Sequence, residues 1–284
     1  MADFAVRDIC SWPQFIEFVS GLEGEWAFRG QSKDWPLRTA LERGLQNWKI
    51  DLLEGPSIER QLLREFRRRY RGEAQSRVSS DTLFCMALMQ HHGAPTRLLD
   101  CTYSPFVAAR FALEFGNKEK EAVIWCISIA WLYDAAVDAV GSELITRRND
   151  DSTRCDVSFL PLYMPDGRPH KFVHGENPLN LNERLVIQQG VFLCPGDAGS
   201  TFVDNLTAMR GWNLAENVLK LRLLMDGTEL KRFAFALTRM NVGSEVLFPG
   251  LDGFARSLNE RLLLMADLAR RKVGSANHII GRGP

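Results

Sequence analysis

The sequence predicts an α+β fold: a single mixed domain with flanking helices, in which strands and helices alternate without a strict strand-helix-strand order. Three features carry that expectation. Runs of aromatic, small and β-branched residues, such as 25–31 and 122–127, have strand composition. Apolar residues recur at helical spacing at Ile58, Leu62, Phe66 and Tyr70, and again across 251–271. Glycine, proline and capping residues punctuate the chain between these runs. The domain is expected over 24–272, with a helical appendage at 1–23 and a flexible tail at 273–284.

Taken in order, the appendage holds a helix capped by Ser11 with Pro13 near its start. The strand at 25–31 delivers Arg29 and breaks at Gly30, followed by a turn through Ser32, Lys33 and Asp34. Asp81 caps a helix carrying Leu83, Phe84, Met86, Ala87 and Met89, and Gly93 and Pro95 end it. A short strand is expected at 98–102, and Ser104-Pro105 opens the next helix, which runs to Leu113. After the apolar strand at 122–127, residues 134–174 read as a long excursion between strands, broken by Pro161, Pro165, Gly167 and Pro169. A strand with a glycine break is expected over 182–192, another strand over 219–225, and helices over 229–239 and 251–271.

Composition narrows the function classes. Of 284 residues, 45% are apolar and 25% charged, the balance of a folded globular chain. Lys plus Arg and Asp plus Glu number 35 each, so no net charge draws the protein toward nucleic acid or membrane, and such contacts must be local. Cys10, Cys85, Cys101, Cys126, Cys155 and Cys194 are scattered, without a Cys-x-x-Cys pair, and no metal site is expected. His170 and His174 are flanked by Pro169 and Gly175, which argues against a helical histidine pair for metal. The start of the chain lacks a basic-then-apolar signal and the apolar run 122–133 is too short to span a bilayer, so the expected location is the cytoplasm.

The chemistry-bearing residues crowd into 90–102, where His91, His92, Thr96, Arg97, Asp100 and Thr102 exceed what a turn requires. An Arg97–Asp100 ion pair with capping histidines would brace the loop; a ligand site is the other reading. Arg29, at the end of a strand and backed by Gly30, suits two-pronged binding of phosphate or carboxylate. Arg60, Arg64, Arg67, Arg68, Arg69 and Arg71 crowd the polar faces of one helix, a local positive patch for nucleic-acid phosphates or an acidic partner surface, partly offset by Glu59 and Glu65.

Two of these clusters carry a family resemblance. Trp26-Ala27-Phe28-Arg29-Gly30-Gln31, Trp35-Pro36-Leu37, Arg43 and the run from Gln90 to Thr102, with Ala108, Phe111 and Ala112, resemble the FRG domain. His92 stands where that family commonly has tyrosine, and Cys101 where it has tryptophan. The likeness continues through Arg184, Gln188, Gly190 and Phe192, and through 247–253. The order of motifs further resembles the NAD-binding half of ADP-ribosyltransferases, which implies a split, largely antiparallel sheet and NAD as candidate substrate. By that resemblance Arg29, Gly30, Gln31, His92, Arg97 and Asp100 would contact the cofactor. His91 and Thr102 would position the nicotinamide ribose and ring, and Glu183 or Gln188 would take the place of the catalytic glutamate. The resemblance implies a bacterial or phage defence effector or toxin-like protein. The alternative is a binding module for a nucleotide, nucleic acid or partner protein, without chemistry.

Overall fold

The computed structural model describes residues 2–113, 122–150, 156–178, 183–251, 253–258, 261, 262 and 265, with backbone alone at 147–150. Its frame is one mixed sheet of seven strands in the order β1-β7-β4-β2-β3-β6-β5. The strands are β1 (Ala5–Ile9), β2 (Trp26–Gln31), β3 (Leu99–Thr102), β4 (Ala122–Ser128), β5 (Val173–Glu176), β6 (Gly190–Pro195) and β7 (Val218–Leu223). The first helices are α1 (Trp12–Ser20), α2 (Ala40–Asn47), α3 (Gly55–Arg69), α4 (Gln75–Ser80), α5 (Thr82–His91) and α6 (Pro105–Ala112). There follow α7 (Ile129–Val140), α8 (Ser142–Asp150), α9 (Asp156–Tyr163), α10 (Glu183–Ile187), α11 (Phe202–Thr207), α12 (Gly227–Arg239) and α13 (Ser244–Leu247).

Only β1 and β7 run parallel; the other ladders are antiparallel, as expected of an α+β sheet. Strand β4 is buried on both faces, which accounts for its unbroken apolar sequence. Its side chains alternate between two cores. Val123, Trp125 and Ile127 meet the helices α5, α7 and α9, whereas Ile124 and Cys126 meet α1, α6 and α12. Local capping explains where the helices begin: the side chains of Ser11, Asp81, Ser104 and Asp226 each accept a backbone N–H of the first turn. Gly93, at φ 83°, ends α5 in the left-handed conformation that glycine adopts without strain.

The sheet is continuous, but its two parts are joined by a single register pair. Strands β2 and β4 share six partners and β3 and β6 share four, while β2 meets β3 only at Phe28 and Thr102. Beyond that pair the edges part. Arg29 reaches across, donating from a terminal guanidinium nitrogen to the carbonyl of Asp100 at 2.5 Å.

Several expectations are corrected. Residues before 24 do not form a purely helical appendage, because Ala5–Ile9 adds a strand at the sheet edge, paired with β7. The strand expected over 182–192 is a short helix followed by a strand from Gly190, since Gln189 at φ 48° reverses the chain between them. Gly190 fits that reversal: an added Cβ would lie 2.5 Å from a methyl carbon of Leu185. The excursion at 134–174 is built largely of helices α7 to α9, whose apolar residues belong to the core. Residues 251, 253–258, 261, 262 and 265 are helical as expected; the rest of the expected C-terminal helix and the tail lie outside the described residues. No described helix is long and apolar enough to cross a membrane.

Strand β2 does not break at Gly30, which pairs with Ile124. The glycine is needed for packing instead: an added Cβ would lie 1.8 Å from the carbonyl oxygen of Ala108 in α6. Gly30→Ala must push α6 off the sheet and is expected to cost roughly 1–3 kcal/mol, as other overpacked sites do, read as a lower urea midpoint at unchanged slope.

Candidate functional site

Where β2 and β3 part, the surface opens into a cleft of about 620 Å³. Its walls come from the end of β2, the segment 32–38, α2, the last turn of α5, β3, and the α10–β6 corner. Arg29, Arg38, Arg43 and Arg184 line it, against one carboxylate among the described lining residues, Asp100.

The charges are arranged in tension. Burial pulls Arg43 below the usual arginine range, and the nearby Arg29 adds to this, while Asp100 and Glu42 oppose it. Burial likewise lowers Arg184, with Asp100 opposing and Arg256 adding repulsion. Arg43 is held by its bond to the Arg38 carbonyl at 2.7 Å, and Arg184 lies 4.8 Å from the centre of the Phe248 ring. The buried Nε of Arg29 makes no hydrogen bond. Guanidinium groups crowded in a half-buried cleft gain from an anion that bridges them. Apolar surface completes the lining at Phe28, Trp35, Phe111 and Phe192, with Trp35 51% exposed at the site.

The structure gathers Arg29, Gly30, Gln31, His91, Asp100, Thr102 and Gln188 in this lining, and leaves out His92, Arg97 and Glu183. Gly30 serves the α6 contact described above. Gln31 accepts a hydrogen bond from the indole of Trp125 at 3.0 Å, which fixes its amide. His91 is held below the usual histidine range by burial, then by His92 and Arg184. The ring of His92, also exposed, stands edge-on to it at 5.1 Å. Thr102 is buried and its hydroxyl is fully engaged, donating to the Gln188 carbonyl at 2.7 Å and accepting the Ser104 amide at 2.9 Å. It ties β3 to the α10–β6 corner.

Arg97 answers to the bracing reading, with a different partner. It is buried, and its Nε donates to the Glu59 carboxylate at 2.8 and 3.0 Å, with a further bond from a terminal nitrogen. The other terminal nitrogen donates to the carbonyls of Tyr163, Pro195 and Gly196 at 2.9, 3.3 and 3.2 Å. Burial works against this charge, yet Glu59 outweighs it and holds Arg97 above the usual arginine range. Asp100 is therefore free of Arg97, and its exposed carboxylate belongs to the cleft.

At the third motif, Gln188 reaches the lining and Glu183 does not. Gln188 donates from its side-chain amide to the Leu247 carbonyl at 2.8 Å. Cys101 also lines the cleft, but burial pushes its thiol up to about 12, so it is not a thiolate nucleophile at neutral pH. Among the described residues no cluster of His, Cys, Asp or Glu is placed to hold a metal ion, and His174 instead contacts Glu176 at 3.2 Å.

Sequence reasoning gave no role to Arg38, Gln46, Asn47 or Gln90, and quoted Arg43 only as part of a motif. Their signal was present: Leu41 and Leu45 mark the buried side of α2, which leaves Arg43, Gln46 and Asn47 free to face elsewhere. What they face is set by packing.

Residues 24–121 match the family model of the FRG domain. The match covers β2, β3 and α2 to α6, hence Arg29, Arg38, Arg43, His91 and Asp100, and it ends before Arg184 and Gln188. No curated protein and no solved structure matches the chain.

Arg97 and Asp100, the two candidates for a bracing pair, should separate cleanly on mutation. Arg97→Ala strands a buried Glu59 carboxylate and is expected to cost roughly 3–5 kcal/mol by chemical denaturation. Asp100→Asn, at an exposed side chain, should stay within about 0.5 kcal/mol.

Proposed function

We propose, from the FRG domain at residues 24–121 and the cleft it builds, that this protein binds a phosphate-bearing nucleotide, with NAD as candidate ligand and transfer or cleavage of its ADP-ribose as candidate reaction. The observation that carries the proposal is the set Arg29, Arg38, Arg43 and Arg184 facing a single carboxylate among the described lining residues of one cleft. A pyrophosphate supplies the negative charge these guanidinium groups lack, and Trp35 offers an exposed ring for a base to stack on.

The position of the cleft supports the ADP-ribosyltransferase-like reading. In that chemistry the bond between nicotinamide and ribose breaks with its electron pair leaving on nicotinamide. The ribose carbon becomes cation-like and is taken by water or an acceptor. A carboxylate beside that carbon stabilises the developing charge. Asp100 is the lining carboxylate among the described residues, so this role falls to Asp100 rather than Glu183. Thr102 positions β3 through the bonds its hydroxyl makes to the Gln188 carbonyl and the Ser104 amide, and His91, whose pKa burial lowers, is the candidate proton acceptor. The setting we propose, a toxin-like or antiviral defence effector, draws its support from the family resemblance.

One observation favours a second reading, binding without turnover. The motif position reaching the cleft is the neutral Gln188, whose amide is already committed to the Leu247 carbonyl.

Incubation of the full chain with NAD should release nicotinamide, and Arg29→Ala and Arg43→Ala should each abolish release; Arg43→Ala gives up its bond to the Arg38 carbonyl and should leave the melting temperature of the free protein close to that of the parent. At about 100 times its Kd, NAD should stabilise the protein by about 2.7 kcal/mol, read as a higher melting temperature. A thermal shift without nicotinamide release selects the second reading, and absence of both sinks the nucleotide proposal.

The cleft also sets a pH dependence. A phosphate beside His91 adds negative charge and raises its lowered pKa, so the liganded protein binds protons more readily than the free one. Nucleotide affinity should therefore increase as pH falls between about 8 and 5, the histidine range, and His91→Ala should flatten that calorimetric profile.

A further inference from the structure

A second hollow, of about 460 Å³, lies away from the nucleotide cleft, between α3, the start of α5 and α9. Arg60, Arg64, Arg67 and Arg68 line it together with one carboxylate, Asp156, and Leu63, Leu160 and Met164 form its apolar part. The arginines recur about once per turn of α3, so their heads repeat at roughly 6 Å along one side of the helix.

These arginines are not equivalent. Arg67 is fixed: it donates to the Val78 carbonyl at 3.0 Å and the Thr82 hydroxyl at 2.8 Å, and lies 3.8 Å from Asp156. Arg68 pairs with Glu65 at 3.1 Å on the exposed side. Arg60 and Arg64 are exposed and make no hydrogen bond or ion pair among the described residues. The hollow thus presents two guanidinium groups with no partner among the described residues beside aliphatic surface, with Val157 60% exposed next to Asp156.

That combination discriminates between partners. A nucleic acid would use the arginine rim alone, since the described lining residues include no aromatic ring on which a base could stack. An acidic peptide with apolar side chains uses both parts, and arginine and methionine are both among the residue types enriched at protein–protein interfaces. We propose that this hollow docks an acidic amphipathic segment of a partner protein, its carboxylates on Arg60 and Arg64 and a long aliphatic side chain against Leu63, Leu160 and Met164.

Fluorescence anisotropy with the full chain tests it, using a labelled peptide that alternates Glu and Leu pairs, an all-Glu peptide of equal length, and a labelled single-stranded oligothymidylate. The Glu–Leu peptide should bind saturably, and Arg60→Glu with Arg64→Glu should weaken it by about tenfold or more, the scale of two charge-assisted contacts. Loss of the leucines should weaken it by about tenfold as well. The double variant should keep its melting temperature and its NAD-induced shift, because neither residue lines the nucleotide cleft. Failure of the Glu–Leu peptide to bind, indifference to the double variant, or equal binding of the all-Glu peptide or the oligothymidylate would each overturn the proposal.

Discussion

The sheet is held across its middle by one register pair, Phe28 with Thr102, and the site exists because the ladder stops there. A strand edge that runs out of backbone partners leaves donors and acceptors that must be satisfied some other way. Here the guanidinium of Arg29 takes the Asp100 carbonyl, and the Thr102 hydroxyl takes the Gln188 carbonyl and the Ser104 amide. Side chains replace a ladder, and they leave an opening large enough for a ligand. The helix α6 fixes the other face of β2 so closely that only glycine fits at position 30. The opening is thereby held between a rigid strand and a corner that can be tuned by residues after it.

Arginine has two opposite uses in this molecule, and burial with pairing decides which. Arg97 is sealed in, with a carboxylate and three carbonyls saturating its donors, so it cross-links α3, α9 and the end of β6. Such a group fixes where elements meet and has nothing left for a ligand. Arg29, Arg43 and Arg184 share a cleft with one carboxylate among the described lining residues; burial and Arg29 weigh against the charge of Arg43, and burial and Arg256 against that of Arg184. The same residue type therefore cross-links elements in one place and lines an open cleft in the other.

The functional reading follows from that contrast. The FRG match encloses most of the basic wall, while the α10–β6 corner that closes it lies beyond the match and brings Arg184 and Gln188. The corner brings a neutral amide to the lining, and the carboxylate among the described lining residues, Asp100, comes from β3. The corner is itself anchored to the C-terminal segment through Leu247 and Phe248.

Much of this protein was decided locally and was legible in the chain. Ser11, Asp81 and Ser104 cap helices because their side chains reach amides three residues away. Strands β2, β3 and β4 follow from short runs of strand-forming residues, and the crowding of polar residues at 90–102 marked half of the site. What tertiary structure alone decided is which of those residues meet. Arg97 finds Glu59 at 38 residues' separation rather than Asp100 at three, because burial rewards the partner that packing delivers, not the nearest one in sequence. Residues 182–192 alternate like a strand, but the reversal at Gln189 and the contact of Gly190 with Leu185 make their first half a helix and carry Glu183 away from the cleft. Periodicity and capping act over a few residues, whereas strand neighbours, ion-pair partners and the walls of a cleft are chosen by the packing of the whole chain.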